Sequence, residues 1–266
     1  MGFEDGLIFF PAKYPEGDWD LERLARLPGG ENPAIEDAFF ETSDGVKLHG
    51  WHCAPRGAAA SDQVLLWFHG NAGNLSDRYD MIRGFTALGV SVFIMDYRGY
   101  GRSEGAPSEK GIYLDARAAW RHLTEERNIP ASRIVIFGKS LGGAAAVDLA
   151  SNVRPMGVIL QSAFTSVPDM AQVVFPFLPR FLVRTKMDNL SKIARVGAPK
   201  LFIHSPGDEV VPFRLGQKLY ETAPAPKLFY EVPRARHNDT YLAGGPAYWR
   251  VIGDFLASLR AAPAAP

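Results

Sequence analysis

The chain has 266 residues, enough for one large α/β domain, and its 47% hydrophobic content excludes a disordered polymer. Its 29 Lys and Arg balance 29 Asp and Glu, so the overall charge gives no reason to expect nucleic acid or an anionic membrane as partner. The single cysteine, Cys53, excludes an internal disulfide framework and a cysteine-based metal site, and reads as a small buried hydrophobe.

No apolar run is long enough to span a bilayer, and the first twenty residues lack the basic start and apolar run of a signal peptide. Gly6 stands where a myristoylation site needs Ser or Thr. A cytoplasmic chain is expected.

Residues 1–33 read as an N-terminal arm in which Leu7, Ile8, Phe9 and Phe10 dock on the domain, and its Pro and Gly content argues against regular structure. Residues 34–262 read as the domain, and 263–266 as a frayed tail. "AIEDAFFET" and "VKLHGWHCAP" are two strands of a hairpin around Ser43-Asp44-Gly45. "QVLLWFHG" is a buried strand, and "LSDRYDMIRGFTALG" a helix that stops at Gly89. "VSVFIMD" is again a strand, followed by a helix over "GIYLDARAAWRHLTEERN". "RIVIFG" is a strand leading to a helix after Ser140, and "MGVILQS", "KLFIHS" and "KLFYEV" are three more strands. "PAYWRVIGDFLASLR" closes the chain as an amphipathic helix. About eight short buried strands alternating with helices indicate a mostly parallel sheet covered on both faces. One segment, at about 164–198, breaks the rhythm with the apolar, proline-rich "VVFPFLPRFLV", and reads as a short lid insertion.

The stretch "RIVIFGKSLGG" admits two chemistries. Gly138-Lys139-Ser140 is the tail of a phosphate-binding loop, but that motif needs a glycine at Arg133 and a loop where a strand stands. A dinucleotide fingerprint fails because its second glycine falls on Ser140. What remains is Gly138-x-Ser140-x-Gly142 between a strand and a helix, the frame of a nucleophilic serine. Small neighbours relieve the crowding of such a turn, and the helix N-terminus faces developing negative charge.

A serine hydroxyl needs a base, a group to orient the base, and oxyanion donors. His237, in the loop between the last strand and the last helix, is the base; of the six histidines it alone follows Asp208. Asp208, in "HSPGDEVVP" just past a strand, is the acid, with Asp169 the runner-up and Asp188 read instead as a cap. Glu209 faces solvent, and His204 ends its strand as a core histidine. In "FHGNAGN" the backbone N–H of Asn71, or of Ala72 one residue on, joins that of Leu141 as oxyanion donor. His69 is structural, and His49, His52 and His122 lack metal-ligand spacing. No metal and no cofactor are expected.

The stretches "LIFFP", "DGVKLHGW", "FHGNAGN", "MDYRGYGRSEG", "FGKSLGG", "HSPGDEVVP" and "RHND" together resemble the α/β-hydrolase superfamily. The branch is that of serine hydrolases related to the fungal bud-emergence protein and the animal protein depalmitoylases. The resemblance implies an α/β-hydrolase fold and the triad Ser140, Asp208 and His237, with Tyr97 and Arg98 packing beside the site. The first functional reading is cleavage of a small-molecule acyl ester or thioester through an acyl-enzyme, and the apolar insertion suggests an acyl chain contacted by Phe175, Phe177 or Phe181. Two other readings remain open: an amide or peptide hydrolase on the same triad, and a non-catalytic binding scaffold.

Overall fold

The computed structural model describes residues 4–28, 30–57 and 60–261. The first three residues of the arm and the tail at 263–266 lie outside the described residues. The chain divides into two compact units, residues 1–135 and 136–266.

In the first unit the arm holds two one-turn helices that its composition argued against, α1 (Asp5–Ile8) and α2 (Leu21–Leu24). Asp20 starts α2 by accepting the Arg23 N–H at 2.9 Å. Phe9 is buried, and the arm is tied down by N–H bonds from Ala12 to Gly73 at 3.1 Å and from Tyr14 to Gly101 at 3.0 Å. β1 (Ala34–Glu41) and β2 (Lys47–Ala54) form the expected hairpin, with Ala34 opposite Ala54 and Glu41 opposite Lys47. β3 (Val64–Phe68), α3 (Tyr79–Ala87) and β4 (Ser91–Met95) follow, in the strand order β1-β2-β4-β3. β2 runs antiparallel to β4, and β3 parallel to it. α4 (Glu109–Arg121) begins two residues before the expected start because the Ser108 hydroxyl accepts the Gly111 N–H at 3.1 Å. It then widens into one π turn at His122–Glu126, where the Arg127 N–H reaches the His122 carbonyl at 2.9 Å. The "MDYRGYGRSEG" loop is held by Arg98, which bonds Asp44 at 2.9 and 3.0 Å and Asp115 at 2.8 Å.

The second unit takes up β5 (Ile134–Lys139), then α5 (Leu141–Ala150), β6 (Gly157–Gln161), α6 (Val167–Val174), α7 (Asn189–Ile193), β7 (Lys200–His204), α8 (Phe213–Thr222), β8 (Lys227–Glu231) and α9 (Thr240–Ala261). Its strand order is β5-β6-β7-β8, and β6, β7 and β8 run parallel. The eight strands thus make a mostly parallel sheet with helices as connections. β5, β6 and β7 are buried at every residue, as continuous apolar runs in a covered parallel sheet require. α5 is buried all round and apolar except for Asp148, which pairs with Lys192 at 2.8 Å.

Two helical features depart from the pattern read in the sequence. α8 has no counterpart among the elements read from the sequence, where Gly216 weakens the helical signal. Glycine is needed there: a Cβ would lie 2.0 Å from His204 Nδ1. α9 is broken at Gly245 (φ 49°, ψ −140°), so its second piece starts at the expected Pro246, while the short first piece follows the His237 loop directly. Among the described residues, no helix is long and apolar enough to cross a membrane.

Candidate active site

Ser140 stands between the end of β5 and the first residue of α5, with φ 53° and ψ −117°. A residue with a Cβ is held in such a conformation only by its surroundings. Here the Ser140 N–H is fixed to the Gln161 carbonyl at 2.9 Å, and the Ser140 carbonyl takes the Gly143 N–H at 2.9 Å. The turn also needs α5 to pass close to β5. A Cβ on Gly138 would meet the Gly142 carbonyl oxygen at 2.5 Å and the Ala146 Cβ at 2.6 Å. The GxSxG glycine before the serine is therefore a packing requirement. The serine is buried, and among the described residues its hydroxyl makes no hydrogen bond in this arrangement.

His237 and Asp208 are brought together. His237 Nδ1 lies 2.8 Å from Asp208 Oδ2 and 2.9 Å from Oδ1, and both side chains are buried. An ionised carboxylate only accepts, so Nδ1 carries the proton and Nε2 is left as the basic nitrogen. Asp208 is held in turn by its own loop: Oδ1 accepts the N–H groups of Val210 at 3.0 Å and Val211 at 2.8 Å. Burial alone would raise this carboxyl. The bonds from His204 and His237 and the Val211 N–H outweigh it and hold the group well below the usual carboxylate range.

The other acids are engaged elsewhere. Asp169 sits in the first turn of α6, accepting from Thr165 at 2.5 Å and Ser166 at 2.9 Å and pairing with Arg180 at 2.6 Å. Asp188 caps α7 through the Ser191 N–H at 3.1 Å, the role read for it in the sequence. Glu209 is exposed, yet its Oε2 also accepts the His237 N–H at 3.0 Å and so steadies the base from the backbone side. His204 is a core histidine whose Nε2 lies 3.0 Å from the Val211 carbonyl and 3.4 Å from Asp208 Oδ2.

Leu141 is the first residue of α5, so its N–H has no acceptor within the helix. In the other unit, the side chain of Asn71 accepts from the Phe10 N–H at 3.1 Å and the Tyr100 hydroxyl at 3.0 Å, and donates to the Ile8 carbonyl. The arm thereby sets the backbone of the "FHGNAGN" turn. His69 is buried in that turn, 3.2 Å from Asp96 Oδ1, with its carbonyl taking the Tyr97 hydroxyl at 2.9 Å. Phe175, Phe177 and Phe181 stand largely in solvent.

The chain matches the family described as serine aminopeptidase, S33, over residues 59–193, a span that contains Ser140 and Asn71. It is 39% identical to the α/β-hydrolase domain-containing protein WAV2 of Arabidopsis thaliana, over 96% of this chain and 88% of that protein. It is 35% identical to protein bem46 of Schizosaccharomyces pombe, over 94% of this chain and 85% of that protein. The chain belongs to the bem46-like branch of the α/β-hydrolases. The fold agrees: the esterase Pf2001 of Pyrococcus furiosus superposes with a TM-score of 0.75, covering 94% of this chain and 98% of that one at 22% identity.

Several residues that support the site in this hydrolase carry no motif. Gln161 holds the elbow through its carbonyl, while its side chain donates to Thr240 at 2.5 Å and accepts from the Tyr248 hydroxyl at 2.6 Å. It thereby links the end of β6 to the helix that follows His237. Lys139, beside the serine, donates to Asn238, beside the histidine, at 3.1 Å. A buried glutamine at a strand end and a lysine inside an apolar run were the available sequence signals, and neither names a partner.

Proposed function

We propose that this hydrolase is a serine enzyme that cleaves carboxylic esters or thioesters through an acyl-enzyme, with Ser140, His237 and Asp208 as its triad. The observation that carries the reading is the buried His237–Asp208 contact, which leaves Nε2 as a base in a chain whose Ser140 is held on a strained strand-to-helix turn. In the reaction, His237 Nε2 takes the Ser140 hydroxyl proton as Oγ bonds to the substrate carbonyl carbon. The carbonyl electrons move to its oxygen, and the Leu141 N–H receives that charge, with the Asn71 N–H as second donor. The tetrahedral intermediate collapses, the bond to the alkoxide or thiolate breaks, and the leaving group takes the proton from Nε2. Water then repeats the sequence in reverse and frees the acid. Asp208 holds the imidazole in the required tautomer throughout and stays ionised.

The proposed setting is cytoplasmic, and no cofactor takes part. Acyl recognition by Phe175, Phe177 and Phe181 requires these exposed rings to leave water. A second reading, amide cleavage, is favoured by the description of the matched family as a serine aminopeptidase. Labelling with a fluorophosphonate, mapped by mass, tests the common chemistry: wild type is expected to label on Ser140, Ser140→Ala to stay silent, and His237→Ala to label far more slowly. Matched ester, thioester and amide substrates then separate the two readings. A folded wild type that does not label would refute both and leave a binding scaffold.

A further inference from the structure

We propose that residues 173–187 of the insertion form a docking surface for an anionic lipid bilayer. Within residues 174–182, Val174, Phe175, Phe177, Phe181 and Leu182 have 66%, 56%, 98%, 80% and 56% of their surface in solvent. Single apolar residues on a soluble surface are ordinary, but large ones gathered in one short segment mark an interaction site.

The segment is built to hold these side chains outward. At its N-terminal root, Asp169 ties together Thr165, Ser166 and Arg180. At its C-terminal root, Val183 and Met187 are buried in the domain. Between the roots the chain folds on itself, the Leu178 N–H reaching the Phe175 carbonyl at 3.0 Å and the Leu182 N–H reaching the Pro179 carbonyl at 3.0 Å. The apolar face is thus ordered before it meets a partner, which reduces the entropy lost on docking.

Charge selects the occupant. The stretch "VVFPFLPRFLVRTKM", 173–187, contains Arg180, Arg184 and Lys186 and no acidic residue. With the flanking Asp169 and Asp188 counted, residues 169–188 hold three cations against two acids, a formal excess of one positive charge in a chain whose total is zero. The balance of the whole chain therefore hides a basic segment that the composition alone gave no reason to expect. Aromatic and branched side chains flanked by Arg and Lys match the interface of a lipid leaflet, with rings at the acyl boundary and cations at the phosphates. A second copy of this chain fits less well, because a two-fold contact would set the same cations against each other.

The test is flotation of the full chain with vesicles, a readout that needs no turnover and so stands apart from the esterase reading. Vesicles of phosphatidylcholine alone are compared with vesicles containing about 30 mol% phosphatidylserine at about 0.1 M NaCl. Wild type is expected to bind the anionic vesicles at least about tenfold more tightly than the neutral ones, and to weaken as salt is raised. F177D/F181D is expected to lose at least about tenfold in binding while its melting temperature holds, since both rings are exposed. If that variant proves unfolded, R184Q/K186Q carries the test, and its binding should fall toward the neutral-vesicle level. Wild type that fails to float on anionic vesicles, or a folded F177D/F181D that floats as well as wild type, overturns the proposal. So does a wild-type dimer in sedimentation that F177D/F181D dissociates in the absence of vesicle binding, which would assign the patch to a second copy.

Discussion

Replacing Asp208 by asparagine keeps the shape of the acid and reverses what it can donate. Oδ1 is committed to the N–H groups of Val210 at 3.0 Å and Val211 at 2.8 Å, so the amide oxygen must take that place. The amide nitrogen then stands where Oδ2 was, 2.8 Å from His237 Nδ1. It donates to Nδ1 and forces the imidazole proton onto Nε2, the nitrogen that must accept from Ser140. His204 Nε2, 3.4 Å from Oδ2 and donating to the Val211 carbonyl at 3.0 Å, opposes that placement only weakly, and the two N–H groups on Oδ1 decide the rotation. The wrong tautomer is expected to lower kcat by about 10³–10⁴-fold, or about 4–5.5 kcal/mol at roughly 1.4 kcal/mol per decade. The assay is the steady-state hydrolysis of a short nitrophenyl ester, with circular dichroism confirming the fold. Asp169→Asn is the control and should stay within about threefold of wild type, because Asp169 is spent on the root of the insertion. If Asp208→Asn retained activity within tenfold while Asp169→Asn lost it, the tautomer argument and the assignment of the acid would both be wrong.

Two other outcomes follow from the same geometry. Lys139→Met keeps the aliphatic stem but removes the 3.1 Å bond to Asn238, so the His237 loop loosens; kcat should fall about tenfold with KM within about twofold, whereas a purely structural lysine would lower the melting temperature alone. His52 is held down to about 3 from its ordinary 6.5, by burial first and then by the charges of Arg127 and His122. The unfolded chain therefore binds a proton that the folded one refuses, so stability is intact above 6.5 and is lost as pH falls toward 3, with about 2 kcal/mol gone by about pH 5. Urea unfolding of wild type and His52→Gln between about pH 7.5 and 5 should show a flatter slope in the variant, and equal slopes would refute the assignment to His52.

The sheet was legible because its strands β3 to β7 are short, mainly apolar runs buried on both faces, a pattern that needs no knowledge of the partner strand. The elbow was legible for a local reason too: Gly138 must be bare for α5 to approach, and the sequence prints that need beside Ser140. His237 and Asp208 were found from loop position and chain order, and the structure joins them. The ties around them were not legible. Gln161 meets Thr240 across 79 residues and Tyr248 across 87, and Lys139 meets Asn238 across 99. No local pattern encodes such meetings, because each residue is ordinary until the fold supplies its partner. α8 was missed for the opposite reason: Gly216 serves His204 and conceals the helix that carries it.

The backbone of Ser140, at φ 53° and ψ −117°, has a consequence for how this chain ages in evolution. Strain of this kind costs a residue bearing a Cβ about 1–3 kcal/mol, and glycine pays little of it. The nucleophile thus occupies a position where the fold alone would prefer no side chain. A lineage released from selection for hydrolysis would gain stability by exchanging Ser140 for glycine. Loss of function along such a lineage would then show itself as thermal hardening, and an inert descendant would outlast its active ancestor on heating.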